Sequence, residues 1–206
     1  MSGTDRQALD AYIAGLAGVA IDDYRRDEQR AYWINLYNAL TVRVVLDHYP
    51  VATIRDIDIS PGFFSYGPWD RKLVTIEGEA LSLNDIEHRI VRPIWKDARV
   101  HYAVNCAALG CPELPTRAFT AANTEAMLDE AARVYVNHRR GTQVKSGILT
   151  VSKIYAWYAE DFGNSAEGVI EHLKRYAAPA LAAVLERADG IDGYTYDWSL
   201  NEPGGR

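Results

Sequence analysis

The fold is decided by the stretch Ala31-Tyr-Trp-Ile-Asn-Leu-Tyr-Asn-Ala-Leu40. Its apolar and aromatic side chains cover so much of a helical circumference that a helix formed here must be buried on nearly every side. The helical pattern extends over about Asp27 to His48, and Pro50 then ends it because proline lacks the backbone N–H that a helix uses. We therefore predict a long helix at the centre of the fold.

The other elements are predicted from apolar spacing and turn residues. Helices are expected over residues 8–16, 82–93, 123–136, 153–161 and 166–185, the last broken near Pro179. Strands are expected over residues 73–81 as a hairpin, 99–105, 144–151 and 194–198. Regular βαβ units are missing from this order, which disfavours a doubly wound sheet. The sequence predicts an α+β fold, a single compact domain with a helical body around a small, largely antiparallel sheet.

Composition bounds the class of protein. The chain has 206 residues, 48% hydrophobic and 24% charged, without an internal repeat, which predicts one globular domain over residues 1–206. A net charge of −6 with scattered basic residues argues against a nucleic-acid partner. No run approaches the roughly 20 apolar residues of a membrane span. We expect a cytoplasmic protein as the sequence is written, or a periplasmic one if an upstream leader was removed.

Reactive side chains concentrate in Arg99-Val-His-Tyr-Ala-Val-Asn-Cys-Ala-Ala-Leu-Gly-Cys-Pro112. His101 is the imidazole closest in sequence to Cys106, and a nearby cation makes a thiol a better nucleophile by lowering its pKa. Five residues of strand span roughly 16 Å and point the two side chains to opposite faces. The pair therefore requires a sharp bend after Val104. Asn105 is the expected hinge, because Asn tolerates the left-handed conformation.

Other interpretations of the two cysteines stay open. Cys106 can be a small buried residue without a chemical role, and Cys111 can be structural or incidental. The two can also form a disulfide or a redox couple. Two cysteines are too few for a disulfide framework, and no Cys/His set has the spacing of a zinc finger. We expect no metal and no cofactor.

Several polar residues are candidates for supporting roles beside the Cys–His pair. Glu87 can orient the His101 imidazole if its helix packs beside the strand, or it can be a solvated surface acid. His88 and His138 compete with His101 as bases. Arg99 would share a strand face with His101 and can hold a substrate carboxylate, or it can form a surface salt bridge.

Three further residues are more structural in character. Asn35 and Asn38 lie on nearly one face of the central helix, where buried carboxamides need hydrogen-bond partners. We expect them to hold the backbone of a loop, with direct substrate binding as the alternative. Asp161, in Glu160-Asp-Phe-Gly, is expected to cap a helix or to bond a loop.

Five ordered motifs resemble the signatures of the bacterial and plant family called domain of unknown function 547, over about residues 9–201. The resemblance implies that His101 and Cys106 are the reactive pair, with Glu87 as a third member. It also implies a cysteine peptidase acting on short peptides, with glutathione-like molecules among the proposed substrates. The motifs are Ala31-Tyr-Trp-Ile-Asn-Leu-Tyr-Asn-Ala-Leu, Leu83-Asn-Asp-Ile-Glu-His, Arg99-Val-His-Tyr-Ala-Val-Asn-Cys, Ser152-Lys-Ile-Tyr-Ala-Trp-Tyr-Ala-Glu-Asp-Phe and Tyr196-Asp-Trp-Ser-Leu-Asn.

The resulting hypothesis is a thiol-dependent hydrolase. Cys106 attacks an amide carbonyl, His101 protonates the leaving amine and Glu87 orients the imidazole. Turn amides after Cys106 stabilise the oxyanion, and Arg99 gives a preference for free C-termini. The rival hypothesis is a non-catalytic interaction module, in which the aromatic loop Phe63-Phe-Ser-Tyr-Gly-Pro-Trp69 binds a protein partner and the thiol is merely packed.

Overall fold

The computed structural model describes residues 3–62 and 66–202. Short 3-10 helices cover Ile21–Asp23, Ile54–Asp56, Ala98–Tyr102 and Ala159–Phe162, and a π-helix covers Asp85–Val91. Every predicted helix has a helical counterpart at its position. No helix within the described ranges combines the length and the apolar character that crossing a bilayer requires. The α-helices are α1 (Gly3–Ala17), α2 (Arg26–His48), α3 (Arg92–Trp95), α4 (Thr124–Val136), α5 (Ile154–Trp157), α6 (Ala166–Lys174) and α7 (Pro179–Leu185).

Helix α2 lies in the main hydrophobic core, as the sequence predicts. The Glu28 carboxylate caps its start by accepting the backbone N–H of Arg25 at 3.1 Å. Ile34, Leu36 and Leu40 are at most 1% exposed. Burying such a side chain contributes about 1.5–3 kcal/mol, so tertiary packing on all sides stabilises this helix more than its intrinsic propensity does.

The strands form two small sheets. The first is a hairpin whose turn, Glu77-Gly78, has positive φ at both residues. In the second sheet, one pairing is antiparallel and the other is parallel. The predicted α+β class is confirmed, with the strands divided between two sheets. Their order is β1–β2 and β3–β4–β5, with the bounds β1 Val74–Ile76, β2 Glu79–Leu81, β3 Thr142–Lys145, β4 Ile148–Ser152 and β5 Gly193–Thr195.

One predicted strand is wrong. The strand is predicted over residues 99–105, but its first four residues belong to the 3-10 helix Ala98–Tyr102 and the other three form a turn and irregular backbone. The Asp97 side chain begins this helix by accepting the backbone N–H of Arg99 at 2.9 Å. Val100 and Tyr102 are buried in this helix, and a strand would also be expected to bury such alternate apolar residues, so a short apolar pattern could not distinguish a strand from a helical turn.

The segment after β5 covers the loop that carries the cysteines. The backbone N–H of Gly110 donates to the carbonyl of Asp197 at 2.8 Å, and Leu109 donates to Ser199 at 2.8 Å. A β-carbon at Gly110 would lie only 2.9 Å from the Asp197 nitrogen, so this close approach requires glycine. The C-terminal segment therefore fixes one side of the cysteine loop.

Candidate active site

A cavity of about 280 Å³ brings the predicted reactive residues together. His101, Cys106 and Cys111 contribute to its wall, as does Glu87 from the π-helix. An apolar cavity with a few converging polar groups is the usual form of a small-molecule site. Most of the remaining wall is aromatic and consists of Tyr37, Trp69, Trp157, Tyr158, Tyr196 and Trp198.

The two cysteines are joined in a disulfide, one of the interpretations that the sequence leaves open. Their Cα atoms are 6.3 Å apart, within the usual range for such a bond. The hydroxyl oxygen of Tyr196 lies 3.0 Å from the sulfur of Cys106 and 3.1 Å from that of Cys111. Cys106 is thus in its oxidised form, and it becomes a thiol only on reduction.

The sharp bend in the cysteine loop lies at Ala107, which has a φ of 58°. Asn105, the expected hinge, uses its side chain instead. Its Nδ2 donates to the carbonyl of Pro112 at 2.6 Å, and its Oδ1 accepts the backbone N–H of Ala107 at 2.7 Å. The hinge prediction is wrong because the carboxamide, and not its backbone freedom, is what the loop uses.

Three of the turn amides after Cys106 already have acceptors. The Ala107 amide donates to the Asn105 side chain at 2.7 Å. Those of Leu109 and Gly110 each donate to carbonyls of the C-terminal segment at 2.8 Å. These three amides therefore leave no free donor for an oxyanion. Sequence reasoning missed the acceptors of Leu109 and Gly110 because they belong to the C-terminal segment, which is distant along the chain.

His101 is held between two carboxylates and is only 3% exposed. Its Nε2 lies 2.7 Å from Oδ2 of Asp161, and its Nδ1 lies 3.9 Å from Oε1 of Glu87. The imidazole also stacks on the Tyr158 ring, with centroids 4.0 Å apart. The Asp161 contact leaves Nδ1 as the nitrogen for proton exchange with a group in the cavity.

Asp161 is a site residue whose partnership with His101 sequence reasoning missed. Burial raises the pKa of its carboxyl, but hydrogen bonds from His101 and Arg92 outweigh burial and lower the pKa to about 2. Asp161 is therefore ionised at neutral pH and fixes the orientation of the imidazole. The available signal was an acid in Glu160-Asp-Phe-Gly, 60 residues from His101 along the chain.

Glu87 is a buried carboxylate in the cavity wall, 4% exposed. The phenols of Tyr37 and Tyr158 are close enough to interact electrostatically with it. Burial and the proximity of Glu87 both raise the pKa of each phenol, so the phenols stay protonated as donors. Glu87 therefore has partners of its own in addition to His101.

The sequence model of the family described as "Protein of unknown function, DUF547" matches residues 21–136, more than half of the chain. The chain belongs to the DUF547 family. No curated protein and no solved structure matches it. The DUF547 match includes Glu87, His101 and Cys106, whereas Asp161 and Tyr196 lie beyond it. The site thus depends on residues outside the matched region.

In this DUF547 protein Arg99 lies outside the cavity. Its guanidinium pairs with Asp97 at 2.6 Å, Glu125 at 2.6 Å and Asp129 at 2.8 Å. Residues two apart on a 3-10 helix do not share a face as they would on a strand. The geometry corresponds to the salt-bridge alternative and gives Arg99 no contact with the substrate cavity.

The two carboxamides of α2 hold the backbone of neighbouring loops. Asn35 donates to the carbonyl of Phe119 at 2.8 Å and accepts its N–H at 2.9 Å. Asn38 donates to the carbonyl of Ala103 at 2.8 Å and accepts the N–H of Asn105 at 2.8 Å. Neither carboxamide lines the cavity that contains the cysteines. Asn38 nevertheless fixes the backbone that leads into the cysteine loop.

The competing histidines lie elsewhere. Nδ1 of His88 is 2.8 Å from a guanidinium nitrogen of Arg92, and Nδ1 of His138 accepts the N–H of Arg140 at 3.2 Å. Neither lines the cavity, so His101 is the imidazole available there. Within residues 3–62 and 66–202, no group of three His, Cys, Asp or Glu side chains could hold a metal ion.

The aromatic loop lies partly outside the described residues. Phe63, Phe64 and Ser65 belong to that undescribed part. Tyr66 is 73% exposed, whereas Trp69 lines the cavity. Tyr66 therefore faces solvent, whereas Trp69 contributes to the candidate site.

Proposed function

We propose that this DUF547 protein is a thiol-dependent hydrolase that cleaves short peptides once the Cys106–Cys111 disulfide is reduced. The observation that carries the proposal is that Cys106 and His101 line one cavity, while Asp161 holds the imidazole at 2.7 Å. A nucleophile, a base and a group that orients the base are the parts that covalent acyl transfer needs.

Each group then has a defined role. Nδ1 of His101 takes the proton of the Cys106 thiol, and Asp161 stabilises the imidazolium that forms. The thiolate attacks the amide carbonyl carbon and forms a carbon–sulfur bond. The carbon–nitrogen bond breaks, and the leaving amine takes the proton from His101. Water activated by the neutral imidazole then hydrolyses the thioester and regenerates the thiol.

Tyr196 is the donor that this scheme assigns to the oxyanion in place of the turn amides. Its hydroxyl lies 3.0 Å from the Cys106 sulfur. Burial raises the pKa of this phenol, which keeps it protonated as a donor at neutral pH. An O–H donor beside the nucleophile can stabilise negative charge that develops on the attacked carbonyl oxygen.

The cavity size supports a small substrate. Its volume of about 280 Å³ lies just below the range of ligand pockets, which is roughly 300–1,000 Å³. A single side chain with its adjacent amide fits such a space better than a folded protein segment does. We therefore propose short peptides or small amides as the substrate class.

The test is amine release from a library of short peptides, with and without a thiol reductant. The parent protein is expected to cleave only after reduction, whereas Cys111→Ala is expected to cleave without reductant because its Cys106 cannot be locked in the disulfide. Cys106→Ala is the matched control and is expected to be inactive under both conditions. Full turnover by Cys106→Ala would end the proposal.

Alkylation gives a second, independent readout on the same variants. In reduced protein, Cys106 is expected to react as a thiolate below the free-cysteine pKa of about 8.5. His101→Ala is expected to remove this advantage. The rate at each cysteine is measured against pH by peptide mass, with Cys111 in the same sample as the internal control. Equal pH profiles for Cys106 in both proteins would count against the dyad.

A second candidate function is the non-catalytic interaction module, which the 73% exposure of Tyr66 favours. In that case Tyr66→Ser abolishes capture of a protein partner, while Cys106→Ala leaves capture unchanged. The hydrolase predicts the converse dependence for peptide turnover, so the same two variants separate the candidates.

A further inference from the structure

The aromatic side chains of the cavity form one connected group. The ring centroids of Trp157 and Tyr196 are 4.8 Å apart, and those of Tyr196 and Trp198 are also 4.8 Å apart. Trp69 joins the group through Trp198 at 5.9 Å. Indole and phenol rings carry partial negative charge on their faces, and such faces attract cations within about 6 Å.

The ionisable side chains of the cavity wall also favour a positively charged ligand. Among the described lining residues, Glu87 and His101 are the charged or readily charged side chains apart from the cysteines, and no Lys or Arg is present. A thiolate at Cys106 and an imidazolium at His101 cancel each other. The Glu87 carboxyl group then has no Lys or Arg partner in the cavity wall.

The neighbouring arginines leave part of the aromatic group open. The Arg55 guanidinium lies 5.4 Å from the Trp198 ring centroid, and Arg92 lies 4.9 Å from that of Tyr158. Arg92 is paired with acidic side chains, and Arg55 is exposed. No cation lies over Trp69 or Trp157 in the part of the chain that the structure describes. The Trp198 ring of this group therefore already has a guanidinium contact in this protein.

We infer that the cavity selects substrates that carry an ammonium or guanidinium group, such as lysyl or arginyl peptides. Cleavage of such a peptide rests on the proposed hydrolase, whereas binding of the cation does not. The cation is bound by the open aromatic faces, chiefly those of Trp157 and Trp69, and by the Glu87 carboxylate. Glutathione-like molecules fit poorly, because the lining residues offer no Lys or Arg for their carboxylates.

The binding test uses Cys106→Ala protein, which cannot turn over or form the disulfide. Three probes of similar size differ in charge: Nα-acetyl-lysine amide, Nα-acetyl-norleucine amide and Nα-acetyl-glutamate amide. Titration followed by tryptophan fluorescence is expected to give at least about tenfold tighter binding for the lysine probe than for the norleucine probe. Equal binding of these two, or tighter binding of the glutamate probe, overturns the inference.

Matched variants locate the cation. Trp157→Leu is expected to reduce the lysine preference about fivefold, because one aromatic face is lost. Glu87→Gln is expected to reduce it further, because the charge is removed while the shape is kept. Trp95→Leu is the control, since Trp95 lies outside the cavity wall. An unchanged preference in both Trp157→Leu and Glu87→Gln would contradict the assignment.

Peptide turnover separates this inference from the hydrolase proposal. Reduced parent protein is given paired peptides that differ only in lysine or norleucine before the scissile amide. Equal Cys106-dependent cleavage of the pair overturns the cation inference and leaves the hydrolase standing. Preferential binding of the lysine probe without cleavage of any peptide supports the cation site and overturns the hydrolase.

Discussion

Arg99 and His101 lie two residues apart on one short 3-10 helix, yet their surroundings differ completely. Arg99 points to a group of three carboxylates outside the cavity, whereas His101 points into the cavity and meets Asp161. A strand would have put both side chains on one face, while a 3-10 helix turns the second by about 240° from the first. The role of a polar residue here follows from its partners and not from its chemical type.

The largest effect expected from this comparison concerns activity. His101→Ala is expected to lower kcat/KM by about a thousandfold, because general acid–base catalysis is lost. Arg99→Met is expected to leave kcat/KM unchanged. Both are measured with the same peptide after reduction of the disulfide. A large loss in Arg99→Met, with correct folding, would return Arg99 to the substrate site.

The next largest effect on activity is expected from Asp161, the acid that contacts the His101 imidazole. Asp161→Asn is expected to lower kcat/KM by about a hundredfold, because the amide cannot stabilise the imidazolium. The pH profile of kcat/KM is the readout that distinguishes orientation of the base from loss of structure. Glu87→Gln serves as the comparison, since Glu87 is 3.9 Å from the imidazole while Asp161 is at 2.7 Å. With a norleucine peptide, which has no cation for Glu87 to bind, a larger loss in Glu87→Gln would make Glu87 the orienting acid.

Stability is where Arg99 is expected to matter. Arg99→Met is expected to lower the free energy of unfolding by about 2 kcal/mol, because charged hydrogen bonds to three carboxylates are lost, of which that of Asp97 is largely buried. Urea unfolding at pH 7 measures this effect, and His101→Ala provides the comparison on the same helix. An unchanged urea midpoint in Arg99→Met would mean that water replaces the hydrogen bonds that the three carboxylates lose.

The Arg99→Met variant also changes how the free energy of unfolding depends on pH. Burial raises the pKa of Asp97, but hydrogen bonds from Arg99 and Arg30 outweigh burial and lower it from 3.8 to about 2. Because the folded pKa is depressed, this stabilisation is present above pH 3.8 and is lost as pH falls from 3.8 to about 2. Arg99→Met raises the pKa of Asp97 in the folded protein. The free energy of unfolding measured between these pH values is therefore expected to vary less with pH.

The smallest effect on stability is expected from an exposed ion pair, which serves as the comparison for the ion pairs of Arg99. Arg133 and Glu130 are 3.5 Å apart on α4, with side chains 53% and 67% exposed. Glu130→Gln is expected to change the free energy of unfolding by at most about 0.5 kcal/mol. Urea unfolding measures it beside Arg99→Met. A loss as large as that of Arg99→Met would mean that burial does not explain the difference between the two arginines.

The elements with long patterns were predictable from sequence. Helix α2 was, because ten consecutive residues carried an apolar signal around the whole helix. The hairpin β1–β2 was also predictable, because Gly78 indicated its turn. The 3-10 helix Ala98–Tyr102 was not, because a short pattern with alternate buried residues fits either a strand or a helical turn. The Asp97 side chain that begins this helix leaves no periodic signal.

The site was predictable only where it is local. Cys106, His101 and Glu87 were identified because reactive residue types cluster near one another in the sequence. Asp161 and Tyr196 were not linked to them, since they lie 60 residues from His101 and 90 residues from Cys106 respectively. The hydrogen bonds that occupy the turn amides likewise depend on contacts of long range, which apolar periodicity does not encode.

The contact of Tyr196 with both sulfurs has a consequence for biosynthesis. The chain is made from its N-terminus, so the cysteines leave the ribosome long before Tyr196 and the segment that follows it. Until that segment docks, the nascent chain has a thiol pair without its phenol cover, and the amides of the cysteine loop lack their carbonyl acceptors. A chain that ends before residue 196 therefore lacks the phenol beside the two sulfurs, together with the part of the cavity wall that Tyr196 and Trp198 form.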